Sequence, residues 1–166
     1  MIRKKKMYVR PKKAYEKTRI EAENLIVKKY GLKNKREIWK TIAKVSYFRR
    51  RAKGLAKASR EEQQVLFTKL QELGLKTMTI ADVLDLKVED LLERRLPTVV
   101  YKKGLAHTPQ QARQMVVHKK ILIAGSVVNI PSYLVRVDQE TAITSRMPLL
   151  TKAPSKPAKT EEITNE

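Results

Sequence analysis

Cysteine is absent from this chain. That excludes disulfides and thiolate metal sites, and it leaves His107 and His118 without the companions a metal centre needs. Glycine is scarce: five residues, at 31, 54, 74, 104 and 125, are too dispersed to build a glycine-rich phosphate loop. No run approaches the roughly 18 consecutive apolar residues of a membrane-spanning helix. The basic run Arg3 to Lys6 is followed by Tyr8-Val9-Arg10-Pro11-Lys12-Lys13, where an export signal needs an apolar core. An intracellular location is therefore expected. The acids lie mainly in the middle of the chain, away from both histidines, so no Ser–His–acid arrangement suggests itself. The sequence predicts a protein that is not an enzyme and carries no cofactor.

Positive charge is what the chain has in excess. Its 37 Lys+Arg against 17 Asp+Glu give a formal net charge of +20. A compact body so charged repels itself unless a polyanion neutralises it. The distribution is uneven. Residues 1–60 hold 22 basic residues against four acids, Glu16, Glu21, Glu23 and Glu37. Residues 61–100 hold five basic and eight acidic, and residues 101–136 hold six basic and no acid. A surface that only needs solubility mixes both signs. Two positive segments flanking a near-neutral one predict two contact surfaces for phosphate.

Hydrophobic spacing predicts a helix from Tyr15 to Tyr30 stopped at Gly31, and a second opened by Asn34 with Glu37 as its reciprocal capping partner. That second helix buries Ile38, Ile42 and Val45, with Trp39 alongside, and runs to Lys53, with Gly54 free to loosen it. Ser59 and Glu62 predict the next cap, over a helix carrying Leu66, Leu70 and Leu73 and stopping at Gly74. Thr79 with Asp82 starts a short helix. Another runs from about Val88 through Leu96, with a break or kink at Pro97. Thr108-Pro109-Gln110-Gln111 is a strong helix start, and Ala112, Met115 and Val116 form its buried stripe. Ile121–Ile123 and Ser126–Val128 predict a hairpin turning at Gly125. A strand over Tyr133–Val137 and a last one over Ala142–Thr144 follow. From Pro148 the pattern is lost, and Pro154, Pro157 and the acidic end predict a disordered tail.

In residues 94–135, Arg94-Arg95-Leu96, Gly104-Leu105-Ala106, Thr108, Gln111-Ala112-Arg113, His118, Gly125 and Asn129-Ile130-Pro131-Ser132-Tyr133 occur in order. This run resembles the RNA-binding module named after small-subunit ribosomal protein S four. The flanking phrases Tyr30-Gly31-Leu32-Lys33-Asn34-Lys35-Arg36-Glu37, Leu86 to Leu96 and Val128 to Arg136 resemble the archaeal and eukaryotic versions of that family over nearly everything except the last twenty or so residues. The resemblance implies direct binding to small-subunit ribosomal RNA at a multi-helix junction, early in assembly, with support of translational accuracy. It implies a place near the messenger RNA path, contact with neighbouring small-subunit proteins, a monomer within the ribosome, and a cytoplasmic ribosomal location away from membranes. Two departures stand out. The cysteine zinc site of some bacterial members is absent, and the end is acidic where eukaryotic members often end basic and Gly-rich.

The residues themselves support that chemistry. In the module, Thr108 opens a helix whose N–H groups suit a phosphate. Gln110, Arg113 and Gln114 share the face opposite the buried stripe, and Arg113 offers a planar fork of donors. His118, Lys119 and Lys120 at its end, Asn129 and Ser132 in the turn, and Arg94 and Arg95 ahead of it complete that surface, which reads the shape of a folded RNA. In the N-terminal part, Arg3, Lys4, Lys5, Arg10, Lys12, Lys13, Lys35, Arg36, Lys40, Arg49, Arg50 and Lys53 are expected phosphate contacts. Tyr8 and Tyr47 are expected to stack on bases, whereas Trp39 fits the core better. An Arg113→Glu charge reversal is expected to weaken binding several-fold. The expected class is α+β: a basic helical part (1–88), a module of two helices and a short antiparallel sheet (89–147) and a flexible tail (148–166). The alternatives are an RNA-modifying or recycling factor, since the resemblance implies a module that is also appended to such proteins, and a DNA-binding architectural protein, which the charge alone permits.

Overall fold

The structure is a computed structural model and describes residues 7–146. The expected contacts Arg3, Lys4 and Lys5 and the expected tail 148–166 lie outside the described residues. Eight helices and a three-stranded sheet make up the described part, so the class is α+β. Helix α1 (Lys17–Tyr30) ends at Gly31, whose φ of +59° gives the left-handed cap. Helix α2 (Lys35–Leu55) runs unbroken through Gly54. Its Ile38, Thr41, Val45 and Ala52 are buried, while Ile42, expected inside, is 43% exposed. Asn34 makes no side-chain cap, the Glu37 N–H donating to its backbone carbonyl instead, and the reciprocal bond is missing because the Glu37 carboxylate is drawn away to two arginines. Ser59 likewise caps α3 (Arg60–Glu72) through backbone alone. Thr79 and Asp82 do form the expected reciprocal box at α4 (Ile80–Asp85).

The helix expected from Val88 to Leu96 is two helices, α5 (Val88–Glu93) and α6 (Leu96–Lys102). The break falls at Arg94-Arg95, two residues before Pro97. Pro97 thereby sits in the first turn of α6, where its missing N–H costs nothing. Helix α7 (Pro109–Val117) starts at Thr108, whose hydroxyl accepts from the Gln111 backbone N–H. The Gln111 side chain reaches back one residue further than expected, accepting from the His107 N–H at 2.8 Å. Strands β1 (Ile121–Ile123) and β2 (Ser126–Val127) pair with Ile123 opposite Ser126. Both turn residues, Ala124 (φ +48°) and Gly125 (φ +77°), lie in the left-handed region that a two-residue hairpin demands.

The strand expected over Tyr133–Val137 does not form. Leu134 makes one bridge to Arg95, flanked by the bonds Leu96 N–H to Tyr133 and Val135 N–H to Arg94. Its partner is a two-residue joint between helices, too short to sustain a ladder. The chain turns instead into α8 (Val137–Thr141), and β3 (Ile143–Ser145) completes a sheet of order β2-β1-β3.

Packing converges on the α5–α6 joint. Leu92 belongs to the cluster of Tyr30, Leu32 and Ile38, Leu91 to that of Val45, Leu66 and Leu70, and Leu96 to the module core around Val116 and Ile121. Three apolar clusters thus meet along the six residues from Leu91 to Leu96. A second junction joins the end of α1 to the start of α7. A Cβ added at Gly31 would lie 2.8 Å from the Pro109 carbonyl carbon and 2.9 Å from the Gln110 nitrogen. The two helix ends carry partial charges of opposite sign, so their approach is favourable. Gly31→Ala combines left-handed strain with this clash and is expected to cost about 2 kcal/mol or more. Urea denaturation checks it; an unchanged midpoint would mean that α1 is not seated on α7.

Candidate nucleic-acid interface

Spacing on α2 puts Glu37, Lys40, Thr41 and Lys44 on one helix face, at i, i+3, i+4 and i+7. That face looks onto the module. The Arg113 fork of α7 grips both Glu37 oxygens, with Nη1 donating to Oε2 at 3.0 Å and Nη2 to Oε1 at 2.8 Å. Arg95, from the α5–α6 joint, donates through Nη2 to Glu37 Oε2 at 2.6 Å and through Nε to the Pro131 carbonyl at 3.3 Å. Its residue exposure is only 5%. Burial by itself would raise the Glu37 carboxyl, but the hydrogen bonds and charges of Arg113 and Arg95 outweigh it and hold the group below its ordinary value. One carboxylate therefore ties α2 to the module at two points. The triad lines a cleft of about 380 Å³ shared with Lys40, Lys44, Ser132 and Leu134.

These contacts change the reading of several expected RNA contacts. The Arg113 fork lies on Glu37, its side chain only 20% exposed. Arg95 is buried in the same triad. Arg94 is half-buried, bound to Glu140 at 2.9 Å and to the Val135 carbonyl. Lys35 reaches the Ile20 carbonyl and lies 3.6 Å from Glu23. Arg49, an exposed residue, places one guanidinium nitrogen 2.8 Å from the Leu86 carbonyl. The first turn of α7 is covered by Gly31, so its N–H groups do not form an open phosphate site. The engaged side chains share one physical cause: a cation near the fold's own acceptors is satisfied by them first.

Other expected residues do stand at the surface. Arg10, Lys12, Lys13, Arg36, Lys40, Tyr47, Arg50 and Lys53 are exposed in the N-terminal part. Thr108, Gln110, Gln114, His118, Lys119, Asn129 and Ser132 are exposed in the module, and Lys120 is half-exposed. Tyr47 is 55% exposed, with its ring edge-on to Phe48. Tyr8 is half-buried, its ring 6.1 Å from that of Trp39. The Trp39 indole in turn donates to Glu23 at 3.0 Å, so Trp39 is structural, as its spacing suggested.

Glu23 is the residue that sequence reasoning missed most completely. It is 6% exposed and receives Arg19 at 2.9 Å as well as Trp39. Burial opposes its ionisation, but those donors, with Lys35, hold its carboxyl below the ordinary value. Lys44 was missed too. A usable signal existed: between Glu23 and Glu61 the only acid is Glu37, and a lone carboxylate among so many cations is where ion pairs must collect. Acids outnumber bases elsewhere, in residues 61–100. Asp82, Asp85, Asp90 and Glu93 line a second concavity with Lys76, Arg94 and Lys102.

A family profile described as "S4 domain" matches residues 94–140. A protein of Methanosphaerula palustris called small ribosomal subunit protein uS4 is 48% identical over 149 residues, covering 83% of this chain and 82% of its own. Proteins of the same name from Hyperthermus butylicus and Picrophilus torridus are 43% and 44% identical, each over 84% of this chain and 82% and 81% of their own.

Proposed function

The chain belongs to the uS4 family of small ribosomal subunit proteins, in its archaeal form, and from that premise we propose that it clamps a junction of small-subunit ribosomal RNA between two basic surfaces. It is a non-enzymatic, structural constituent of the small subunit that binds ribosomal RNA. The observation that carries the finer reading is the Glu37 triad. It sets the exposed cations of α2 and the exposed polar face of α7 at a fixed angle across one cleft. A rigid pair of positive surfaces suits a folded RNA, whose shape fixes where its phosphates lie.

On this reading the N-terminal surface consists of Arg10, Lys12, Lys13, Arg36, Lys40, Arg50 and Lys53, with Tyr47 as the exposed aromatic ring. The module surface consists of Gln110, Gln114, His118, Lys119, Lys120, Asn129 and Ser132. Arg94, Arg95 and Arg113 act through position, by holding the second surface to the first. The two parts correspond to residues 1–88 and 89–147. Holding the junction in one geometry would nucleate the subunit body and support accuracy, in the cytoplasm. The acidic side, turned to a basic neighbouring small-subunit protein, would face away from the RNA. No helix among the described residues is long and apolar enough to cross a membrane.

The test is competition between small-subunit ribosomal RNA, transfer RNA and duplex DNA across a salt series. Affinity for each falls steeply with salt if on the order of ten phosphates are neutralised. Small-subunit RNA is expected to win clearly at moderate salt. Equal binding of all three polymers would return the accessory-factor and architectural readings.

A further inference from the structure

Four cations and one carboxylate line the cleft between α2 and the module: Lys40, Lys44, Arg95 and Arg113 around Glu37. Glu37 is already gripped by both arginines. Neither lysine has an ion pair or hydrogen bond among the described residues, and Ser132 of the module is an exposed residue lining the same cleft. Thr41 adds no free donor, since its hydroxyl bonds the Glu37 backbone carbonyl at 2.9 Å. The cleft therefore holds a surplus of three positive charges with its carboxylate fully engaged.

We propose that this cleft is a phosphate site, taking one phosphodiester group of the bound RNA between Lys40 and Lys44 of α2 and Ser132 of the module. The proposal rests on the RNA-binding reading above and goes further by naming where the two surfaces share a single phosphate. Glu37 is then a positioning residue: it neutralises part of the arginine charge and keeps both guanidiniums at the wall without meeting the phosphate itself. The position of Lys44 agrees. The cleft walls, and then the charge of Arg95, hold its ammonium below the ordinary lysine value, as expected of a cation whose counter-ion has yet to arrive. An anion is the occupant whose charge offsets both effects. The volume of about 380 Å³ leaves room for a phosphate with part of its sugars. A neutral or cationic guest would leave the surplus in place.

Two arms test this on the full chain, comparing wild type, Lys40→Gln/Lys44→Gln, and Lys57→Gln as an exposed control outside the cleft. In the first, inorganic phosphate replaces chloride at constant ionic strength while thermal unfolding is followed. Phosphate is expected to raise Tm saturably in wild type and in Lys57→Gln but not in the double variant. The double variant in chloride is expected to be at least as stable as wild type, since a repulsion is removed; a merely structural pair of lysines would give the opposite. In the second arm, small-subunit RNA affinity is measured against salt. The double variant should bind on the order of tenfold more weakly, with a slope shallower by about 1, the signature of one lost phosphate contact.

No saturable rise in wild type, or an equal rise in the double variant, overturns the site. A phosphate effect with unchanged RNA affinity and slope also overturns it, since the cleft would then take free phosphate only. If wild type shows no preference for small-subunit RNA, it is the underlying RNA reading that fails. A preference that survives in the double variant with unchanged slope leaves that reading intact and sinks the cleft.

Discussion

Glu37→Ala is expected to destabilise the protein by about 3–5 kcal/mol, because it leaves two guanidiniums without their counter-charge in a partly buried site. Arg95 is 5% exposed and its remaining partner there is one carbonyl. Removing the carboxylate sets Arg95, Arg113 and Lys44 against one another. Against a typical total of about 5–15 kcal/mol, this is a large share. Glu37→Gln keeps an acceptor and should cost less. Equilibrium urea denaturation checks both, and a loss under about 1 kcal/mol for the alanine variant would mean that the triad is incidental.

The same carboxylate gives a pH signature. Its folded value lies below the ordinary 4.5, so its contribution is fully present above that pH and disappears as pH falls through the folded value. The stability gap between wild type and Glu37→Gln should stay constant from about pH 6 to 8 and close on acidification below about 4.5. Arg113→Glu, which from sequence alone looks like a binding test, becomes a folding test: it removes the fork that grips both Glu37 oxygens and sets a second carboxylate against Glu37.

Leu92→Ala is the second large effect, expected to cost about 2–5 kcal/mol. Leu92 is fully buried on α5, within two residues of the joint where the helical part meets the module. The side chain has no room to be replaced by solvent, and the rigid helices around it can collapse only partly. Leu25→Ala, on a residue 70% exposed, should change stability by no more than about 0.5 kcal/mol. Equal effects from the two substitutions, read from thermal or urea unfolding, would contradict the assignment of the core.

The helices with strong local signals were legible in the sequence. Thr108-Pro109, Thr79 with Asp82, and Gly31 each mark a boundary through contacts made within a few residues. The hairpin at Gly125 was legible for the same reason, although Ala124 at φ +48° was not. What failed depended on distant partners. Asn34 and Glu37 have capping spacing, yet Glu37 is captured by residues 58 and 76 positions away. The alternation at Tyr133–Val137 suits a strand, but among the described residues its one bridge is to the bend at Arg94-Arg95. At the interface the charge totals were legible and the individual roles were not. No one-dimensional pattern tells an arginine that will bind a partner from one that binds the fold's own carboxylate.

The central claim is that two surfaces of one rigid body meet the same RNA, and amine acylation read by mass spectrometry tests it most directly. The chain is modified alone and with one equivalent of small-subunit ribosomal RNA. The account predicts joint protection of Lys40, Lys44 and Lys53 on α2 and of Lys119 in the module, while Lys69, Lys76 and Lys87, in the segment 61–100 where acids outnumber bases, stay reactive. Protection of only one of the two sets, or equal protection of Lys69, Lys76 and Lys87, would contradict it.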